Sequence, residues 1–90
     1  MNMNPETELE RLERVFRSVF GPDYESGSRP TREDLPVWDS LGHVRLVLEI
    51  EAEYGIRIDD QDLVTLHRDF DTVLGWLRRR CDPAAAEARS

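Results

Sequence analysis

The chain has 90 residues, 39% of them apolar, which suffices for one domain around one core and leaves little material to enclose a deep catalytic cleft. The net charge of −7 is unevenly spread: residues 39–71 hold nine acids against Arg45, Arg57 and Arg68, and the remainder is close to neutral. Such a segment repels nucleic acid and anionic membranes, and it suits either basic protein surfaces or a plain solubility face.

The single cysteine, Cys81, excludes an internal disulfide and fits a reducing compartment, where its expected role is apolar packing in a last helical turn. Residues 1–9 hold no apolar run and nothing approaches membrane-spanning length, so a cytoplasmic location is expected. All twelve basic residues are arginine.

Apolar positions Leu9, Leu12, Val15, Phe16 and Val19 recur on one helical face and predict a first helix from Glu6 to Phe20. Asn4 and Pro5 are its expected N-cap and first helical position, and Gly21-Pro22 its stop. From Pro22 to Trp38 there is no sustained period, and Pro22, Pro30, Pro36 and Gly27 mark a long connection. A brief turn is expected from Thr31 to Leu35, with Leu35, Val37 and Trp38 pinned onto the bundle ahead of Asp39.

A second helix is expected from Ser40 to Tyr54, with Asp39 or Ser40 as N-cap and Gly55 just past its end. At 100° per residue its apolar positions divide into two stripes. Leu46, Val47, Ile50 and Tyr54 form one; Leu41, Val44, Leu48 and Ala52 lie nearly opposite. One core needs only one stripe, so the second is left for a partner, a cargo or another packed element.

Asp59-Asp60 predicts the cap of a short third helix carrying Leu63 and Leu66. A fourth helix is expected from Asp71 to Arg80, with Phe70, Val73, Leu74 and Leu77 inward and Arg78 to Arg80 at its negative end. Asp82-Pro83 would end it. The expected organisation is one all-α domain over residues 4–82, with a disordered tail over 83–90 and no internal repeat.

The segment Trp38-Asp39-Ser40-Leu41-Gly42-His43 carries the most specific signal. A serine opening a helix after a long loop exposes its hydroxyl at the positive end of the dipole, where free backbone N–H groups can hold a phosphodiester. Asp39 and Ser40 could equally be a plain helix cap.

The wider register resembles the acyl carrier protein family. Asp39-Ser40-Leu41 matches its attachment tripeptide, followed by an apolar-rich helix through Val44, Leu46, Val47, Leu48 and Ile50. Glu51-Ala52-Glu53-Tyr54-Gly55-Ile56 and Ile58 follow in the same order. The likeness spans Leu9 to Leu77 and includes a long first loop and a short third helix.

That resemblance implies a four-helix bundle of the acyl carrier type. It further implies a 4'-phosphopantetheine arm moved from coenzyme A onto Ser40 by a phosphopantetheinyl transferase that reads Asp39 and Leu41. Cargo would ride as a thioester, and the second helix would dock loading and downstream enzymes through Leu41, Val44, Arg45, Leu48, Glu49 and Ala52. The acidic stretch would steer basic clients, and a monomer with no catalytic activity of its own is expected.

Arg45 stands where many fatty-acid carriers have an acid, and His43 where they have a hydroxyl. Val37-Trp38-Asp39 replaces the glycines that usually precede the serine of peptidyl carriers. The pattern is more similar to free-standing carriers of specialised pathways, with acyl, aminoacyl and hydroxyacyl cargoes all open.

Other chemistries fit less well. His43 lies three residues after Ser40, but no G-x-S-x-G elbow surrounds the pair. His43 is expected at the surface or packed on the loop, and His67 partly solvated. A calcium loop counted from Asp60 puts Thr65 where glycine is needed. A non-catalytic adaptor, using the second stripe with Ser40 unmodified, has the same bulk physics as a carrier.

Overall fold

The computed structural model describes residues 7–81. Four helices follow in order: α1 (Glu8–Phe20), α2 (Ser40–Tyr54), α3 (Asp60–Leu66) and α4 (Phe70–Cys81). Among the described residues there is no strand, only an isolated antiparallel bridge between Thr31 and Asp69. The chain is therefore all-α, as expected. The expected start at Asn4 and Pro5 and the tail over 83–90 lie outside the described residues, and nothing is described of the Cys81 side chain.

α1 begins later than its periodicity suggested. Thr7 is the N-cap: its Oγ1 accepts the Glu10 N–H at 3.1 Å, while Glu10 Oε1 accepts the Thr7 N–H at 3.0 Å. This reciprocal capping box satisfies two otherwise orphaned donors and fixes the start at Glu8, within the acidic run. At the other end Gly21 takes φ 60°, and its N–H closes onto the Arg17 carbonyl. A non-glycine residue would be strained in that conformation.

Phe16 is the aromatic centre of the core. Its ring lies 4.8 Å from Phe70, 5.1 Å edge-on to Trp38, and 5.6 Å from both Phe20 and Tyr24. α1 packs on α2 and on α4, and α3 on α4. Leu12 and Val15 of α1, Leu46 and Ile50 of α2, Leu66 of α3, and Val73, Leu74 and Leu77 of α4 are all buried.

The connection from α1 to α2 donates three core side chains of its own. A 3-10 turn over Gly21–Asp23 leads to Tyr24, which is buried and donates its hydroxyl to the Ser28 carbonyl at 3.2 Å. The Arg32 N–H then bonds the Arg68 carbonyl, and the Phe70 N–H the Pro30 carbonyl, both at 2.9 Å. These bonds lash the loop to the turn ahead of α4. Residues 31–35 make a hydrogen-bonded turn, with Asp34 N–H to Thr31 carbonyl at 3.0 Å. Leu35 and Trp38 are buried, but the Val37 side chain is 38% exposed and is not pinned to the core as expected.

α2 shows the two faces that its sequence separates. Leu46, Val47 and Ile50 are buried, and Tyr54 is half-buried beneath the Arg11 guanidinium, 4.2 Å from its ring centroid. Leu41 is 62% exposed, Leu48 59% and Val44 43%, and Ala52 is also exposed. α2 stops at Gly55, in the left-handed region at φ 67°. Asp59 then caps α3, accepting the Asp62 N–H at 3.1 Å.

Truncating the inner stripe should therefore cost far more than truncating the outer one. Leu46→Ala and Ile50→Ala should each destabilise by about 2–5 kcal/mol. Leu48→Ala should leave the urea midpoint nearly unchanged. Equal losses for Leu48→Ala and Ile50→Ala would refute the two-sided description of α2.

Candidate functional site

Ser40 is the first residue of α2 and is exposed. Asp39, not Ser40, is the cap: its Oδ1 accepts the Gly42 N–H at 2.9 Å, and its carbonyl accepts the His43 N–H at 2.8 Å. The N–H groups of Ser40 and Leu41 have no partner among the described residues. The serine hydroxyl thus stands beside two free donors at the positive end of a helix.

Gly42 is more than a tolerated weak helix former. It is buried, and a Cβ built there would run into the Val37 carbonyl oxygen and crowd the Phe20 ring. Glycine lets the loop backbone pass directly over the first turn of α2. Val37 accordingly matters through its carbonyl, while the residue itself is partly exposed.

His43 is only 2% exposed and bonds Trp38 of the connection, so of its two expected places the packed one on the loop holds and the surface one does not. The Trp38 indole Nε1–H donates to His43 Nδ1 at 3.0 Å. An indole can only donate, so Nδ1 carries no proton, and Nε2–H donates to the Leu63 carbonyl at 2.7 Å. His67, half-buried, donates its Nε2–H to the Trp38 carbonyl at 2.8 Å. The two imidazoles stack at 4.4 Å with planes 11° apart. With both its nitrogens engaged below the surface, His43 offers Ser40 no base, and the Ser–His hydrolytic pairing has no support.

Burial, foremost, holds the His43 pKa below that of a free imidazole, with His67 pushing the same way and the Leu63 carbonyl opposing. Glu53 lies below the usual carboxylate range, chiefly through its hydrogen bond from Arg14 and then that from Arg11, against some desolvation.

The acidic stretch is largely committed to structure. Glu53 is clasped by Arg11 and Arg14, Asp62 faces Arg80, and Asp71 meets Arg29. Glu51 accepts the Ile58 N–H at 2.8 Å across the turn after α2, while Asp59 and Asp69 cap α3 and α4. Glu49 and Asp60 are left without a partner among the described residues. Of the acids expected to steer clients, most are tied down locally. Among the described residues no cluster of three or more candidate metal ligands exists, and no helix is long and apolar enough to cross a membrane.

Arg45 is exposed and has no ion pair among the described residues. It borders two adjoining hollows in the seam between α1 and α2, which share Val19 and Arg45 as walls. The first, about 190 Å³, is completed by Phe20, Asp23, Val37 and Gly42; the second, about 350 Å³, by Ser18, Leu48 and Glu49.

The structure thus gathers Asp39, Ser40, Leu41, Val44, Arg45, Leu48, Glu49 and Ala52 along the start and outer side of α2. It adds two groups that periodicity could not supply, the Trp38–His43–His67 cluster and the Glu51 staple. Set against known proteins, the chain matches no family model, no curated protein and no solved structure.

The buried imidazole should mark the pH dependence of stability. The unfolded chain takes up a proton near the ordinary value of 6.5, where the folded chain holds His43 neutral. Stability from this site is complete above that value and declines as pH falls towards the depressed folded value. The Glu53 clamp acts in a lower window, below its ordinary 4.5. Urea titrations across pH should therefore show two acid limbs, and His43→Gln should flatten the upper limb alone.

Proposed function

We propose that the chain is a carrier protein, holding an acyl, aminoacyl or hydroxyacyl group as a thioester on a phosphopantetheine arm attached to Ser40. One observation carries this reading. An exposed serine opens α2 beside two N–H groups that have no partner among the described residues, directly ahead of an exposed apolar stripe of Leu41, Val44 and Leu48.

The residues present suit the arm. Its phosphodiester would accept from the Ser40 and Leu41 N–H groups, while Asp39 keeps its carboxylate turned to the Gly42 N–H. The arm, when bound, supplies the thiol that carries cargo. Attachment forms a bond between Ser40 Oγ and the pantetheine-side phosphorus of coenzyme A and breaks the pyrophosphate. Adenosine bisphosphate leaves, and the serine proton passes to a base on the transferase.

On this reading the fold is a four-helix bundle of the acyl carrier type, with its long connection between α1 and α2 and its short α3. Leu41, Val44, Arg45, Leu48, Glu49 and Ala52 form the face that meets the transferase, the loading enzyme and downstream synthases. The apolar members contribute contact area, and exposed Arg45 selects partners with an acidic spot. The chain itself catalyses nothing and works as a cytoplasmic monomer. The second reading, an adaptor with Ser40 unmodified, rests on the same exposed stripe.

Incubation with coenzyme A and a broad-specificity phosphopantetheinyl transferase separates the two by intact mass. The expected product carries one phosphopantetheine, and Ser40→Ala remains folded and unlabelled. A folded wild type that gains no mass, or a labelled Ser40→Ala, would overturn the carrier assignment.

A further inference from the structure

Three restraints meet just upstream of Ser40. The Trp38 indole is held by His43 Nδ1, the Trp38 carbonyl by His67 Nε2–H, and the Trp38 N–H by the Leu35 carbonyl at 2.8 Å. His43 also donates its own N–H to the Asp39 carbonyl, the first backbone bond of α2 across Ser40. One side chain and one backbone group of His43 thus fix the two residues that deliver the serine. The indole is 1% exposed and wedged against Phe16 and Phe20, so it cannot turn to water without opening the core.

We propose that His43 is a positioning residue for Ser40: neutral, it clamps Trp38 and presents the hydroxyl for transfer, and protonated, it releases the clamp and slows modification. The inference rests on the carrier assignment. It follows from hydrogen-bond inventory. A protonated imidazole donates from both nitrogens, so Nδ1–H would face the indole N–H, two donors with no acceptor between them. A buried donor left unmatched is costly, and the cheapest escape moves Trp38, and with it Asp39 and Ser40.

The surroundings offer the imidazolium little compensation. From the turn after α3 it faces His67, whose own charge would repel it. α3 presents the Leu63 carbonyl, already used, and Asp62 is directed to Arg80. On its own element, Asp39 is bound to the Gly42 N–H. Behind His67, Arg32 donates to the His67 carbonyl and Arg68 pairs with Asp69. Among the described residues no carboxylate bonds to the ring, whose two nitrogens meet the Trp38 indole and the Leu63 carbonyl. Burial favours the neutral form for the same reason.

The test compares labelling rates of wild type, His43→Gln and His67→Gln with coenzyme A and one transferase. It covers the pH range over which circular dichroism shows all three folded. Glutamine can accept from the indole and donate to the Leu63 carbonyl, yet it does not titrate. Taking the ratio of wild type to His43→Gln at each pH cancels the transferase's own pH dependence. The ratio should be level at alkaline pH and fall on the acid side, approaching about tenfold per pH unit below the His43 pKa. His67→Gln should keep that limb.

A flat ratio, or a limb that disappears with His67→Gln instead, overturns the positioning role while leaving the carrier assignment intact. Absence of labelling in wild type at every pH overturns both. If His43→Gln does not fold, Trp38 emission in a Trp76→Phe protein gives the second measurement, because an imidazolium in contact quenches an indole. Quenching and loss of labelling rate should share one midpoint; separate midpoints overturn the proposal.

Discussion

A buried indole must give its N–H to something, and in this small chain that requirement organises the whole approach to α2. Trp38 supplies the largest fully buried side chain, and Phe16, Phe20 and the helices around them close over it. Leaving its N–H unmatched would cost on the order of 1–3 kcal/mol, a sizeable share of the stability of a domain this size. His43 meets the demand from one turn inside α2, and its second nitrogen passes the connection to α3 through Leu63. A loop, a helix start and a neighbouring helix are thereby referred to one polar contact within the apolar core.

The rigidity so produced is local. It lies on the inner side of the segment that ends in Ser40, whereas the outer side of α2 has apolar groups in water and an exposed Arg45. On the carrier reading the two sides would divide the labour: restrained backbone at Trp38 and Asp39 beneath the serine, and exposed apolar surface for a visiting protein to bury. The ion pairs elsewhere have a different part. Arg11 and Arg14 draw Glu53 of α2 onto α1, and Arg80 of α4 faces Asp62 of α3, so these two acids close seams between helices.

Sequence periodicity located the helices because each buries a stripe that recurs every 3.6 residues, and the opposed stripes of α2 were visible for the same reason. Thr7 was missed because a capping box depends on side-chain reciprocity, which the acidic run from Glu6 to Glu10 masks. Val37 was misplaced because its contribution is a carbonyl, and backbone packing leaves no hydrophobic signature. Gly42 carries no sequence signal of its role either, because the close passage of the Val37 carbonyl over it is a tertiary contact. Of the candidate site, Asp39, Ser40 and Leu41 were legible as a local motif. His43 was legible only as one of two alternatives, surface or loop-packed: a polar residue three positions after a helix start has no local reason to be buried, and its indole partner lies on the far side of the cap. Tyr24 likewise owes its burial to a loop path that only tertiary structure defines.

The Trp38–His43 contact also constrains how this chain can drift. Replacing the indole with a side chain that has no donor strands an imidazole nitrogen in the core, and replacing the histidine with an aliphatic residue strands the indole N–H. Either single step passes through a less stable molecule, while a joint exchange for two apolar groups need not. Substitutions at these positions are therefore expected to travel in pairs among descendants of this sequence. The corner that delivers Ser40 should change by rare coordinated jumps, while the exposed side of the same helix can change one residue at a time without loss of core stability.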